Sequence, residues 1–114
     1  MSMRITRLAA AEAFSPPGHA GVVPLRLQGG TDTPTERVTV VLSHYLPGGQ
    51  AEMSAQPTET VYVLVSGELT MISEGEESVL QPYDSVHFTP GTHRQVVNRS
   101  PLPASMLVIR PVVP

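Results

Sequence analysis

The chain contains no cysteine, no lysine and no tryptophan. Without cysteine there is no disulfide framework, no thiolate metal site and no cysteine nucleophile. Its only permanent cations are seven arginines against ten acidic residues, a formal net charge of −3, and they form no basic stripe. A nucleic-acid partner is therefore not expected. Apolar runs are short, far below the roughly 20 residues that cross a bilayer as a helix. The opening Met1-Ser2-Met3-Arg4 has no apolar signal core behind it, so no membrane partner and a cytoplasmic location are expected. Charged residues make up only 15% of the chain. That scarcity argues against a helical bundle, which would be built on Glu, Lys, Ala and Leu.

What is present points to strands and turns. Hydrophobic residues make up 40% of 114 positions, enough for one core and one domain spanning residues 1–114. Twelve prolines and nine glycines punctuate the chain, as they do between strands rather than within them. Residues 7–14 are compatible with a short helix that ends at Ser15-Pro16-Pro17-Gly18. Residues 22–27 read as a first strand, within an N-terminal arm covering residues 1–35. The main barrel would occupy residues 36–110. There, residues 36–46 are rich in β-branched side chains, and the Pro47-Gly48-Gly49 turn is expected to stop that strand. Further strands are expected over residues 60–65, 68–73, 78–80, 85–88, 95–98 and 104–109, with an acidic turn at Glu74-Gly75-Glu76-Glu77. At least eight short strands at close spacing imply an all-β sandwich or barrel.

Two segments carry a family resemblance. The first runs from Pro47-Gly48-Gly49 to Glu59-Thr60-Val61-Tyr62-Val63-Leu64-Val65-Ser66-Gly67-Glu68-Leu69. The second runs from Asp84-Ser85-Val86-His87-Phe88-Thr89-Pro90-Gly91 through Thr92-His93-Arg94-Gln95-Val96-Val97-Asn98. In order and spacing they resemble the two motifs of the cupin family, small RmlC-like double-stranded β-helix or jelly-roll barrels. The resemblance extends from about Val38 to Ile109 and implies that fold.

The resemblance also implies three histidines and one glutamate as metal ligands. Counting from Gly67 and Asn98 places those positions on Ser54, Gln56, Thr60 and Arg94, with Glu59 and His93 as immediate neighbours. Strand parity favours this register: Arg94, Val96 and Asn98 share a face, as do Thr60, Tyr62 and Leu64. A one-residue slip would turn His93 and Glu59 inward instead.

These residue types change the chemistry. Fe, Mn, Ni and Zn take imidazole nitrogens and carboxylate oxygens. Serine, glutamine and threonine are neutral and poor donors, and arginine is cationic without a free lone pair. No metal cofactor is therefore expected. An arginine in a barrel interior can instead grip a carboxylate or phosphate, with Ser54, Gln56, Thr60, Tyr62 and Asn98 adding neutral hydrogen bonds. The alternatives for Arg94 are an internal ion pair or a place at the barrel mouth. His93 and His87 are expected at the rim or surface and His19 in a solvated loop, while the direction of His44 is open. A non-standard metal site would have to recruit His19, His44 or His93 with Glu52 or Glu59. Met53, Met71 and Met106 read as core or pocket wall.

Three functions fit. The first is binding of a small, anionic organic molecule without the usual metal. The second is an enzyme of small-molecule metabolism on the same fold (an isomerase, lyase, cyclase or dioxygenase-like protein), with Tyr62, His93 or Glu59 in acid–base roles and Arg94 as anchor. The third is an interaction module with a filled barrel. A homodimer is expected, because Phe14, Val22, Val23, Leu25 and Leu27 make the N-terminal arm too apolar to stay free.

Overall fold

The structure, a computed structural model, describes residues 3–112. Nine strands follow one another: β1 (Glu12–Ala13), β2 (His19–Gln28), β3 (Val38–Ala55), β4 (Thr60–Ser66), β5 (Leu69–Ser73), β6 (Glu76–Leu80), β7 (Ser85–Phe88), β8 (His93–Val97) and β9 (Ala104–Pro111). They pair antiparallel in the order β6-β5-β8-β3-β9-β4-β7, with β2 joined to β3 and β1 to β2. The result is an all-β jelly-roll barrel. Among the described residues no helix is long and apolar enough to cross a membrane.

Period-two alternation sets the two faces of the sheet. Thr60, Tyr62 and Leu64 of β4 are buried, as are Ala104, Met106 and Val108 of β9 and Arg94 and Val96 of β8. With Tyr45, Ala51, Leu69, Met71 and Leu80 their apolar members form the core. The opposite face of β2, β3, β9 and β4 is also apolar. Leu25 faces Leu42, Leu42 faces Leu107, Val63 faces Leu107 and Val61 faces Ile109 across the ladders. Val23, Leu46 and Val65 on this side are exposed.

Two expectations about local structure are corrected. Pro47-Gly48-Gly49 does not stop a strand, because β3 runs through it for 18 residues. Gly48 takes φ +79°, which bends the strand without ending it. The ladder survives the bend: Gly48 N–H donates to Asn98 O at 2.8 Å and Asn98 N–H donates to Gly49 O at 2.9 Å. A Cβ on Gly49 would collide with the Gly21 carbonyl, so β2 can follow the bent strand only past a glycine. Before the bend β3 pairs with β9, and after it with β8. Residues 7–14 form only a single 3-10 turn, Leu8–Ala10, and then β1. The turn has no side-chain cap, a helix this short is unstable alone, and Phe14 N–H is taken by Pro24 O at 3.2 Å.

At the other end, Glu74 and Gly75 both have positive φ, 52° and 78°, and join β5 to β6 with Ser73 opposite Glu76. This tight hairpin turn matches the acidic turn read from the sequence.

Candidate functional site

The inner faces of β2, β3, β4, β8 and β9 enclose a cavity of about 320 Å³ under the loop that joins β1 to β2. Its apolar wall is Phe14, Pro16, Pro17, Pro24, Val41 and Val108. The loop is pinned by the Glu52 N–H, which donates to Gly18 O at 2.8 Å, and Arg26 stacks on the Phe14 ring at 3.9 Å.

Arg94 is the most deeply held charge in the cavity, at 2% exposure. It stands opposite Ser54 in the β3–β8 ladder. Its Nε–H donates to the Tyr62 hydroxyl at 2.6 Å, and its Nη1 donates to Ser54 Oγ at 3.0 Å and to the Glu52 carbonyl at 3.3 Å. Nη2 makes no hydrogen bond among the described residues and is not sealed from solvent, so it faces the cavity. Ion pairs among the described residues are His87–Glu59 and Arg99–Glu77. Arg94 thus has no carboxylate partner there, and the internal ion pair weighed from sequence does not form.

Ser54, Gln56, Tyr62 and Arg94 come together on the cavity wall. Thr60 and Asn98 do not line it. Thr60 is buried, donating to Thr58 O and accepting from Arg110 Nε at 3.3 Å. The Asn98 amide is spent on the chain itself: Nδ2 donates to Tyr45 O at 3.1 Å and Leu102 O at 2.8 Å, and Oδ1 accepts from Ser100. Asn98 therefore fastens the β8–β9 connection to the bend in β3.

The residues weighed for a non-standard metal site do not gather as a set of three among the described residues. His93 is exposed, and Glu59 pairs with His87 outside the barrel at 2.9 Å. His44 lies on the outer face, with Nδ1 at 2.8 Å from Ser105 Oγ. His19 opens β2 on the cavity wall, with Nδ1 at 2.9 Å from Pro17 O, and has no second imidazole beside it. Among the described residues no three His, Asp or Glu side chains converge as a donor set. The cavity's own permanent charges are the guanidiniums of Arg94 and Arg110, which repel cations. The residues present do not fit the metal that the fold implies.

Three polar wall residues were not singled out from the sequence: Ser43, Tyr45 and Arg110. Parity could have found them. Ser43 and Tyr45 share a face with Val41 in β3, and Arg110 follows Ala104, Met106 and Val108 in β9. The Tyr45 hydroxyl makes no hydrogen bond among the described residues and stays open to the cavity. Burial, with Tyr62 beside it, pushes the Tyr45 phenol above its ordinary pKa, and Arg94 and Arg110 draw it partly back. At neutral pH it is an OH donor.

Comparison with known proteins agrees with this architecture. A Cupin domain family model matches residues 41–110. The chain is similar to a β-D-galactosidase of Mycobacterium tuberculosis, 43% identical over 106 residues that span 93% of this chain and 91% of the relative. Among solved structures it superimposes on the polyketide cyclase RemF from Streptomyces resistomycificus with a TM-score of 0.85 and 16% identity, covering 96% of this chain and 79% of that one. A cupin-superfamily sugar phosphate isomerase from Silicibacter pomeroyi gives a TM-score of 0.80 and 24% identity, covering 95% and 75%. At these identities the two structures speak for the fold alone. With its family model matched over more than half its length and its strands arranged as that family's barrel, the chain belongs to the cupin domain family.

Proposed function

We propose that the barrel cavity binds a small organic anion, with Arg94 as its anchor and no metal in the place that cupins usually reserve for one. The observation that carries this reading is a guanidinium at 2% exposure whose partners are all neutral and whose Nη2 faces an open cavity. Burying an unpaired charge is costly, and an incoming carboxylate or phosphate would offset that cost. The cavity, about 320 Å³, is at the small end of ligand pockets and suits a molecule of a few carbons. Calorimetric titration with small carboxylates and phosphates tests the reading, and no binding of any anion at millimolar concentration would overturn it.

A second reading is hydrolysis of a β-galactoside, supported by the 43% identity to the Mycobacterium tuberculosis relative that bears that name. Glycoside hydrolysis ordinarily uses two carboxyl groups, and no Asp or Glu lines this cavity. Glu52, whose carboxylate lies against Gly18, next in the chain to the wall residues Pro17 and His19, is the acid this reading would employ. A chromogenic aryl β-galactoside should then be turned over by the wild type and not by Glu52→Gln. Equal rates in both, or none in either, count against it.

The apolar outer face of β2, β3, β9 and β4 supports a further part of the proposal, a homodimer in which a second copy covers this face. The patch is continuous across four strands and carries Val23, Leu46 and Val65 exposed. Sheets with such faces pack on one another.

A further inference from the structure

Arg94 is not alone in the cavity. Arg110, on β9, lines the same space. Its Nε donates to Thr60 Oγ1 at 3.3 Å, and its two terminal nitrogens make no hydrogen bond among the described residues. Neither arginine has a carboxylate partner among those residues, and no Asp or Glu side chain stands on the wall. A chain of net charge −3 thus concentrates two cations without a carboxylate partner among the described residues in one small cavity. The neutral polar groups beside them are the hydroxyls of Ser43, Tyr45, Ser54 and Tyr62 and the Gln56 amide.

We infer that the ligand carries a dianionic group, or two carboxylates, gripped by Arg94 and Arg110 together, on a small hydroxylated body that the serine and tyrosine hydroxyls contact. This deepens the anion-binding reading and rests on it. A monoanion would neutralise one guanidinium and leave the other without a counter-charge. A dianion matches both, and charge-assisted bonds to guanidinium are stronger than neutral ones. The Tyr45 phenol sits within the field of both arginines, since each draws its pKa down against the effect of burial. The apolar wall of Phe14, Pro16 and Pro17 limits the body of the ligand to a few atoms beyond its charged end.

The test is calorimetric titration at pH 8 with four probes: glycerol 3-phosphate, malate, glycerate and glycerol. The phosphomonoester and the dicarboxylate represent the two sources of double charge, glycerate is the monoanion and glycerol the neutral control. Glycerol 3-phosphate or malate should bind at least about tenfold more tightly than glycerate, and the tighter of the two identifies the source. Arg110→Met should reduce the better dianion to the affinity of glycerate while leaving glycerate within about threefold of wild type. Arg110→Gln keeps an N–H for Thr60 and should behave the same way, with an unliganded melting temperature close to wild type. If glycerate binds as tightly as both dianions, or if neither Arg110 variant changes the preference, the two-cation site is wrong while the Arg94 anchor stands. If no anion binds the wild type at all, both readings fall together.

Discussion

Arg94 and Tyr62, 32 positions apart in the chain, meet inside the barrel at 2.6 Å, with the guanidinium donating to the phenol oxygen. Tyr62 is itself fixed by an edge-to-face contact with Phe88 at 5.8 Å between ring centroids. Together with Ser54 across the β3–β8 ladder, this holds the guanidinium in one orientation and leaves Nη2 directed at the cavity. A pre-oriented cation loses little entropy when an anion arrives.

Small carboxylates should therefore raise the melting temperature of the wild type, because a ligand that binds only the folded chain stabilises it by mass action. Arg94→Met keeps roughly the length without the charge and should abolish that shift. A lost charge-assisted bond of about 1.5–3 kcal/mol corresponds to one to two powers of ten in affinity. Without ligand the variant need not melt earlier than wild type, since the loss of three hydrogen bonds is offset by removal of a buried guanidinium that has no counter-charge. Differential scanning fluorimetry reads both effects. A variant that unfolds early and a wild type indifferent to carboxylates would mean that Arg94 serves the fold.

The Tyr45 phenol gives a pH signature. Its folded pKa is raised, chiefly by burial, from an ordinary value of 10.0. Above that pH the unfolded chain loses the proton while the folded chain keeps it, so this contribution to stability is complete below about pH 10 and is lost as pH climbs beyond it. Melting temperatures from pH 8 to 11 should fall more steeply for the wild type than for Tyr45→Phe. The same variant should weaken anion binding by no more than about tenfold, the scale of one hydrogen bond. Parallel pH curves for the two proteins would show that the phenol is not shielded.

Expression in medium rich in Fe, Mn, Ni and Zn should yield protein with far less than one metal per chain by elemental analysis. The count from Gly67 and Asn98 assigns the family's ligand positions to Ser54, Gln56, Thr60 and Arg94, whose side chains are poor metal donors, while His93 is exposed and Glu59 pairs with His87. Stoichiometric metal that survives dialysis would require a different inward-facing register in β4 and β8.

Light scattering should report a dimer at micromolar concentration. Val65 is exposed on the outer apolar face, so Val65→Glu should cost the folded monomer less than about 1 kcal/mol yet shift the protein to monomer. A wild type that is already monomeric would remove the second copy from that face.

Much of the barrel was readable because strand signals are local. Alternation over Thr60, Tyr62 and Leu64, and over Arg94, Val96 and Asn98, gave the face of each residue, and the structure turns those faces inward. The course of β3 was not readable. Pro47-Gly48-Gly49 carries the residues of a turn, and only the hydrogen bonds from Asn98, far along the chain, keep it in a ladder. Asn98 itself illustrates the limit: its inward face was legible, while its use by Tyr45, Ser100 and Leu102 depended on where a loop came to rest.

By itself the sequence determined the all-β class, the cupin frame and the chemistry of the side chains at the usual metal positions, because residue type, turn residues and period two are properties of short segments. The tertiary structure alone decided that Arg110 shares a cavity with Arg94, that His19 joins the wall, and that Glu59 is spent outside on His87. Those outcomes depend on the relative register of strands that are distant in the chain, and no local pattern encodes the distance between two side chains that meet only when the sheet closes.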